Sequence, residues 1–148
     1  MPAIHVAPLS EIDPSTLYAI LRLRVDVFVV EQQCPYPELD GRDLEPSALQ
    51  LWATDDAGAV LATLRLLTDD GDIRRIGRVV TAPDGRRTGL AATLMERAIA
   101  LAGGAPIVLD AQAHLQGWYE RFGFERDGAE FVEDGIAHVP MRRTPPVE

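Results

Sequence analysis

The chain has 148 residues, 47% of them hydrophobic, and a formal net charge of −9. That length suits one domain, 1–148, with a substantial core, and the negative balance excludes the basic stripe needed for nucleic acid or an anionic membrane. No run approaches the roughly 18 apolar residues of a membrane span, and a single cysteine (Cys34) with three separated histidines (His5, His114, His138) gives neither an internal disulfide nor metal-ligand spacing, so no metal is expected.

The first residues carry no basic region followed by an apolar signal core, which favours a cytoplasmic location. Ala3 to Ala7 has β character. Asp13-Pro14 then supplies an N-cap followed by proline at the first helical position, and Leu17, Ile20, Leu21 and Phe28 recur near a 3.6-residue period, so a helix is predicted over 14–29. Pro35 and Pro37 prevent its regular continuation, making Glu31 to Gly41 an ordered loop. Leu49 to Thr54 and Ala59 to Leu67 form a hairpin around Asp55-Asp56-Ala57-Gly58. After a turn at Asp69 to Asp72, Ile73 to Thr81 adds a third strand to an antiparallel meander.

From Ile76 to Leu101 the chain passes from strand to loop to helix, breaking at Pro83-Asp84-Gly85 and resuming with Gly89 in the first helical turn. Leu90, Leu94, Ala98 and Leu101 share one helical face, and Gly103-Gly104 ends the element. Pro106 to Ala113 reads as a buried strand, so this helix joins two parallel strands in a right-handed crossover. A short helix from His114 to Phe122 stops at Gly123. Phe124 onward and Ala137 to Arg142 form a last hairpin around Glu133-Asp134-Gly135, and 143–148 is a frayed tail.

Charge is unevenly placed. Glu31, Glu38, Asp40, Asp43 and Glu45 crowd one segment and suit a cation, whereas Arg74, Arg75, Arg78, Arg86 and Arg87 flank the strand–loop–helix and suit an anion. All 14 basic residues are arginine, so no lysine side chain is present to be self-acylated.

In Arg86-Arg87-Thr88-Gly89-Leu90-Ala91, small residues stand where backbone must approach a ligand, with cations in front. First-turn N–H groups lack intrahelical partners and carry the positive end of the helix dipole, so the junction is a candidate pyrophosphate cradle. It matches neither a P-loop nor a Gly-x-Gly-x-x-Gly fingerprint. Tyr119 lies just beyond the second parallel strand; a phenol can give a proton to a departing thiolate.

Arg86, Gly89 and Ala91 resemble the Arg/Gln-x-x-Gly-x-Gly/Ala loop of the GNAT family of acyl-CoA-dependent N-acyltransferases, and the order of elements fits over most of the chain. Val27-Phe28-Val29-Val30-Glu31-Gln32, Cys34-Pro35-Tyr36, Leu39-Asp40-Gly41, Gly77-Arg78-Val79, Ala111 to Gln116 and Phe122-Gly123-Phe124 are similar to the ElaA-type subgroup. The resemblance implies an α/β (α+β) fold with a mixed, mostly antiparallel sheet, a splayed central parallel pair and flanking helices.

It further implies transfer of an acetyl group from acetyl-CoA to a small-molecule or peptide primary amine by direct attack in a ternary complex; a non-catalytic acyl-CoA-binding or sensing protein is the alternative. A homodimer is compatible with the sequence. Backbone of Val79, Val80 and Thr81 would pair with the pantetheine arm, amides of Arg87, Thr88, Gly89, Leu90 and Ala91 would hold the pyrophosphate beside Arg86, and Tyr119 would protonate the thiolate. Gln112 stands where many members have asparagine near the cofactor. Glu31, His114, His138 and water are the candidate bases, with Glu31 placed first.

Overall fold

The computed structural model describes residues 2–145; the end of the expected tail, 146–148, lies outside them. The strands are β1 (Ala3–Ala7), β2 (Leu49–Thr54), β3 (Val60–Thr68), β4 (Arg74–Thr81), β5 (Ile107–Gln112), β6 (Glu125–Arg126), β7 (Phe131–Glu133) and β8 (Ile136–Arg143); the helices are α1 (Pro14–Val25), α2 (Leu90–Ala102) and α3 (Gln116–Glu120). The sheet runs β1-β2-β3-β4-β5-β8-β6, with β7 also on β8. Every pairing is antiparallel except β4 with β5. The expected mixed, mostly antiparallel sheet with one parallel pair and flanking helices is what the chain adopts.

Alternation along the strands sorts side chains into two layers. Leu51, Ala53, Leu64 and Leu66 pack beneath Leu90, Leu94, Met95 and Ala98 of α2. Trp52 and Val80 meet Ile20, Leu23 and Val27 on the α1 side. The two helices therefore cover opposite faces of one sheet.

Asp13 caps α1 by accepting from the Thr16 backbone N–H at 3.1 Å. The expected helix over 14–29 runs further and changes winding, because Asp26–Glu31 forms a π-helical turn. Its wider spacing is visible where the Gln32 N–H donates to the Val27 carbonyl at 3.1 Å and the Cys34 N–H to that of Val29 at 3.0 Å. The last hairpin also differs: β6 and β7 are separate short strands, both paired with β8. Arg143, expected to begin the tail, closes β8 opposite Ile107.

The acidic loop 31–45 is pinned by arginines rather than left for a ligand. Arg24 is fully buried on α1; its Nε donates to Glu38 at 2.7 Å, and its two terminal nitrogens donate to Asp43 at 2.8 and 3.1 Å. Arg65 forks onto Asp40 at 2.7 and 2.9 Å and reaches Asp43 at 3.3 Å, while Gln50 donates to Asp43 at 2.8 Å. Arg42 holds Glu45 at 2.8 Å and Asp69 at 2.9 Å. Such forked, charge-assisted bonds fix geometry as well as energy.

Removing one partner of a buried ion pair leaves a charge without compensation. Arg24→Ala should therefore lower the unfolding free energy by roughly 3–5 kcal/mol in urea denaturation, against the roughly 0–1 kcal/mol of a surface pair. Acid should act through the same network. Hydrogen bonds from Arg65 hold Asp40 well below the ordinary carboxylate range. Burial raises Asp43 and Asp69, but arginine bonds outweigh it and leave both lowered. Groups depressed on folding stabilise fully above their unfolded value of about 4, and that contribution is lost as pH falls through the folded values. The urea midpoint should hold from pH 7 to about 5 and decline below about 4.

Candidate active site

β4 and β5 pair only at Arg74–Ile107 and Arg75–Val108, then part. From Ile76 onward one edge of β4 has no strand beside it among the described residues, and a cleft of about 830 Å³ opens there through the sheet. Its walls come from the π-helical turn after α1 (Val27, Phe28, Glu31), from β4 (Val79, Val80, Thr81), and from α2 and α3 (Ala91, Trp118, Tyr119). Buried polar backbone requires a partner, so an extended ligand that completes β4 fits this edge better than a compact one.

The β4 edge is also bent. Its register against β3 shifts between Thr63–Val80 and Arg65–Gly77, and Arg78 inside the bulge has a left-handed φ of 54°. A bulge re-aims the following backbone groups, here those of Val79 and Val80. The loop holds Arg78 in place: its Nη2 donates to the Glu38 carbonyl at 3.0 Å, its Nε lies 2.8 Å from the Glu38 carboxylate, and its guanidinium stacks 5.5 Å above the Tyr36 ring. The Tyr36 hydroxyl donates to Glu38 in turn.

At one end of the cleft, Gly89 caps α2 with φ 79° and Arg87 precedes it at φ 65°. The Thr88 hydroxyl donates to the Gly85 carbonyl, and Gly85 is close-packed: a Cβ there would meet the Leu61 carbonyl at 3.1 Å. This tight turn leads into the first turn of α2, where the Thr93 N–H is bonded to the Gly89 carbonyl and the preceding three N–H groups precede any intrahelical partner.

On the α3 side, Tyr119 is 7% exposed, packed edge-on against Trp118 at 4.9 Å and Phe124 at 6.4 Å. Burial pushes its hydroxyl up to about 12. The phenol therefore keeps its proton throughout the neutral range and can act only as a donor there.

The sequence matches the Acetyltransferase (GNAT) domain over residues 24–145. The chain belongs to the GNAT family. It is of the ElaA type: Escherichia coli ElaA is 39% identical over 142 residues, covering 90% of this chain and 91% of that protein. The crystal structure of Escherichia coli ElaA superposes with a TM-score of 0.89, at 36% identity over the superposed chains and with 97% and 99% covered. A UPF0039 protein of Mycobacterium tuberculosis is 48% identical over 136 residues, 90% of this chain and 87% of that one. An acyl-CoA N-acyltransferase from Pseudomonas aeruginosa superposes with a TM-score of 0.91 at 42% identity, with 97% and 100% covered. GNAT enzymes use acyl-CoA as co-substrate and act on amine acceptors. Among the described residues no helix is long and apolar enough to cross a membrane.

Of the GNAT site residues expected from sequence, Val79, Val80, Thr81, Arg86, Ala91, Gln112, Tyr119 and Glu31 line the cleft. Arg87, Thr88 and Gly89 are exposed in the loop beside it, and the Leu90 side chain is buried in the core, leaving its backbone to face the junction. Gln112 on β5 donates to Gln32 at 3.3 Å, tying the end of α1's π-helical turn across the cleft. Glu31 is held by Arg86, whose Nη2 donates to its two oxygens at 2.8 and 2.9 Å. The leading candidate base and the expected phosphate arginine are thus engaged with each other.

Two charge expectations need correcting. The acids from Glu31 to Glu45 each have an arginine partner, so that segment is a network of ion pairs rather than a cluster of unpaired negative charge. Arg74, Arg75 and Arg78 likewise serve the protein itself, on the Leu67 carbonyl, on Asp69 and on Glu38, leaving Arg86 and Arg87 at the junction. Sequence reasoning missed Arg24 and Arg65 as the organisers of the loop. A signal existed for Arg24, which sits at helical spacing between Ile20 and Val27 on the buried face of α1.

Proposed function

We propose that the protein transfers the acetyl group of acetyl-CoA to a primary amine by direct attack within a ternary complex. The observation that carries the reading is the open, bulged edge of β4 facing a cleft walled by Tyr119. Backbone of Val79, Val80 and Thr81 would pair with the pantetheine arm; amides from Arg87 to Ala91, with Arg86 beside them, would hold the pyrophosphate. Gln112 would stand beside the cofactor, at the position where asparagine is common in the family.

The bulge suits the amide of Val79 or Val80 to the thioester carbonyl, where charge develops during attack; loss of such a donor costs roughly 3 kcal/mol. Tyr119 would protonate the leaving thiolate. Against a solvated thiolate of ordinary value about 8.5, a phenol at about 12 gives up its proton uphill by roughly 5 kcal/mol. The same desolvation disfavours the thiolate, so the transfer is favoured while the leaving group is still inside the cleft. Glu31 acts in this reading as the counter-ion of Arg86, a partner the pyrophosphate must share or displace.

Calorimetry with acetyl-CoA, followed by release of free CoA against a panel of benzylamine, ethanolamine, cadaverine and a short alanyl peptide, tests the proposal. Binding with thiol release and an acetylated product mass is expected. Binding without release from any amine would favour an acyl-CoA sensor, and absence of binding would defeat both readings. Tyr119→Phe should lower kcat about 100-fold while leaving acetyl-CoA affinity within about threefold; unchanged turnover would remove the tyrosine from the reaction. Glu31→Gln should tighten CoA binding by roughly two- to fivefold at low ionic strength, an advantage that disappears in about 1 M salt because exposed charges are screened there.

A further inference from the structure

We infer that His138 is the general base that deprotonates the acceptor amine, an assignment that rests on the acetyltransferase reading above. Its Nδ1 lies 2.8 Å from the Ile136 carbonyl oxygen. A carbonyl can only accept, so Nδ1 carries the proton and the lone pair of the neutral ring is on Nε2. The ring is further oriented by stacking on Phe131, at 5.7 Å and 19°. Its tautomer and plane are therefore set before any substrate arrives, as a base that must meet a proton at one fixed place requires.

Placement agrees. His138 is the direct cross-strand partner of Gln112 in the β5–β8 ladder. Val79 and Gln112 are equally many residues beyond the Arg74–Ile107 pair, and because the β4 bulge adds one residue on that strand, Gln112 and its partner His138 fall at the level of the Val79–Val80 segment whose amides would hold the thioester carbonyl. Both His138 and Gln112 line the cleft, and Gln112 reaches Gln32 at the end of α1's π-helical turn, which puts the pair on the α1 face. Their neighbours Ala111 and Val139 belong to the core on the other face, with Tyr119. Base and acid thus flank the splay from opposite faces of the sheet, the arrangement that lets an amine enter from one side while the thiolate leaves on the other.

The two rivals are placed differently. Both oxygens of Glu31 are bound by Arg86 at the phosphate end. His114 lines the same cleft but is exposed, on the turn leading into α3.

Nε2 of His138 takes one proton from the ammonium form of the acceptor. The freed nitrogen pair forms the C–N bond, the C–S bond breaks, and the sulfur pair takes the Tyr119 proton. The amide nitrogen sheds its remaining extra proton to restore the phenol, and His138 releases its proton to solvent, so one proton appears per amide formed. The titratable groups that line the cleft with His138 are Asp110 from β5, Glu133 and Asp134 at the β7–β8 turn and His114 before α3, and, on the other walls, Glu31, Cys34, Tyr36, Asp40, Arg78, Arg86 and Tyr119.

The test uses the full chain with acetyl-CoA and whichever amine of the panel gives most CoA. His138→Asn preserves a donor for the Ile136 carbonyl while removing the Nε2 base, and His138→Gln places a non-basic amide near Nε2. Both should lower kcat about 100-fold, keep acetyl-CoA affinity within about threefold, and abolish the acidic limb of the kcat pH profile while Tyr119→Phe retains it. Nitrogen NMR of the free protein should show Nδ1 protonated and Nε2 bare. Variants with near wild-type turnover, loss of acetyl-CoA binding in both variants, or a proton on Nε2 of the neutral ring would each overturn the assignment. A wild-type protein releasing no CoA would overturn the acetyltransferase reading as well, whereas an active wild type with active variants removes the base alone.

Discussion

Everything in the cleft depends on two strands that pair for two residues each and then separate. Past Arg75 and Val108, β4 keeps β3 on one side and, among the described residues, has no strand on the other. A backbone edge inside a protein is a demand for hydrogen bonds, and this one is shaped for an extended partner. The position of α2 follows from the same geometry. As the crossover between β4 and β5, it must begin where β4 ends, which brings its uncapped N–H groups to the mouth of the opening.

An open edge would be soft without reinforcement, and the buried arginines supply it. Arg24 reaches from α1 to Glu38 and Asp43, Arg65 reaches from β3 to Asp40 and Asp43, and Arg78 in the bulge is clasped by Glu38 and Asp40. One carboxylate, Glu38, thus links a helix, a loop and the bulge. Apolar packing could fill that volume as densely, but it would not fix the bulge in one place, since directional forked bonds constrain orientation and dispersion contacts do not.

The fold was legible where local chemistry decides it. Asp13-Pro14, the Asp55–Gly58 turn and the glycines after α2 mark element ends by their own backbone preferences, and those ends fall within a residue or two of the predicted positions. It was illegible where a strand's partner is remote: β6 and β7 are short, and both exist by virtue of β8. The site followed the same division. The loop from Arg86 to Ala91 was visible in its cations and small residues and Tyr119 in its place after the second parallel strand, and the fold brings Arg86, Ala91 and Tyr119 to one cleft. The pairing of Glu31 with Arg86, across 55 residues, could not, and neither could the neutralisation of the acidic segment. A sequence displays charges; only the folded chain displays which charges are already answered.

The π-helical turn at Asp26–Glu31 has a meaning in terms of insertion and deletion. A π turn is an α-helix that has absorbed one additional residue without lengthening its hydrogen-bonded scaffold elsewhere. Each residue of an α-helix rotates its successor by about 100°, so everything after the turn, Gln32 included, owes its direction toward the cleft to a single surplus residue. Sequences aligned with this one by a one-residue gap between Asp26 and Glu31 would place a different side chain opposite Gln112 and reshape that wall of the cleft without any substitution in the cleft itself.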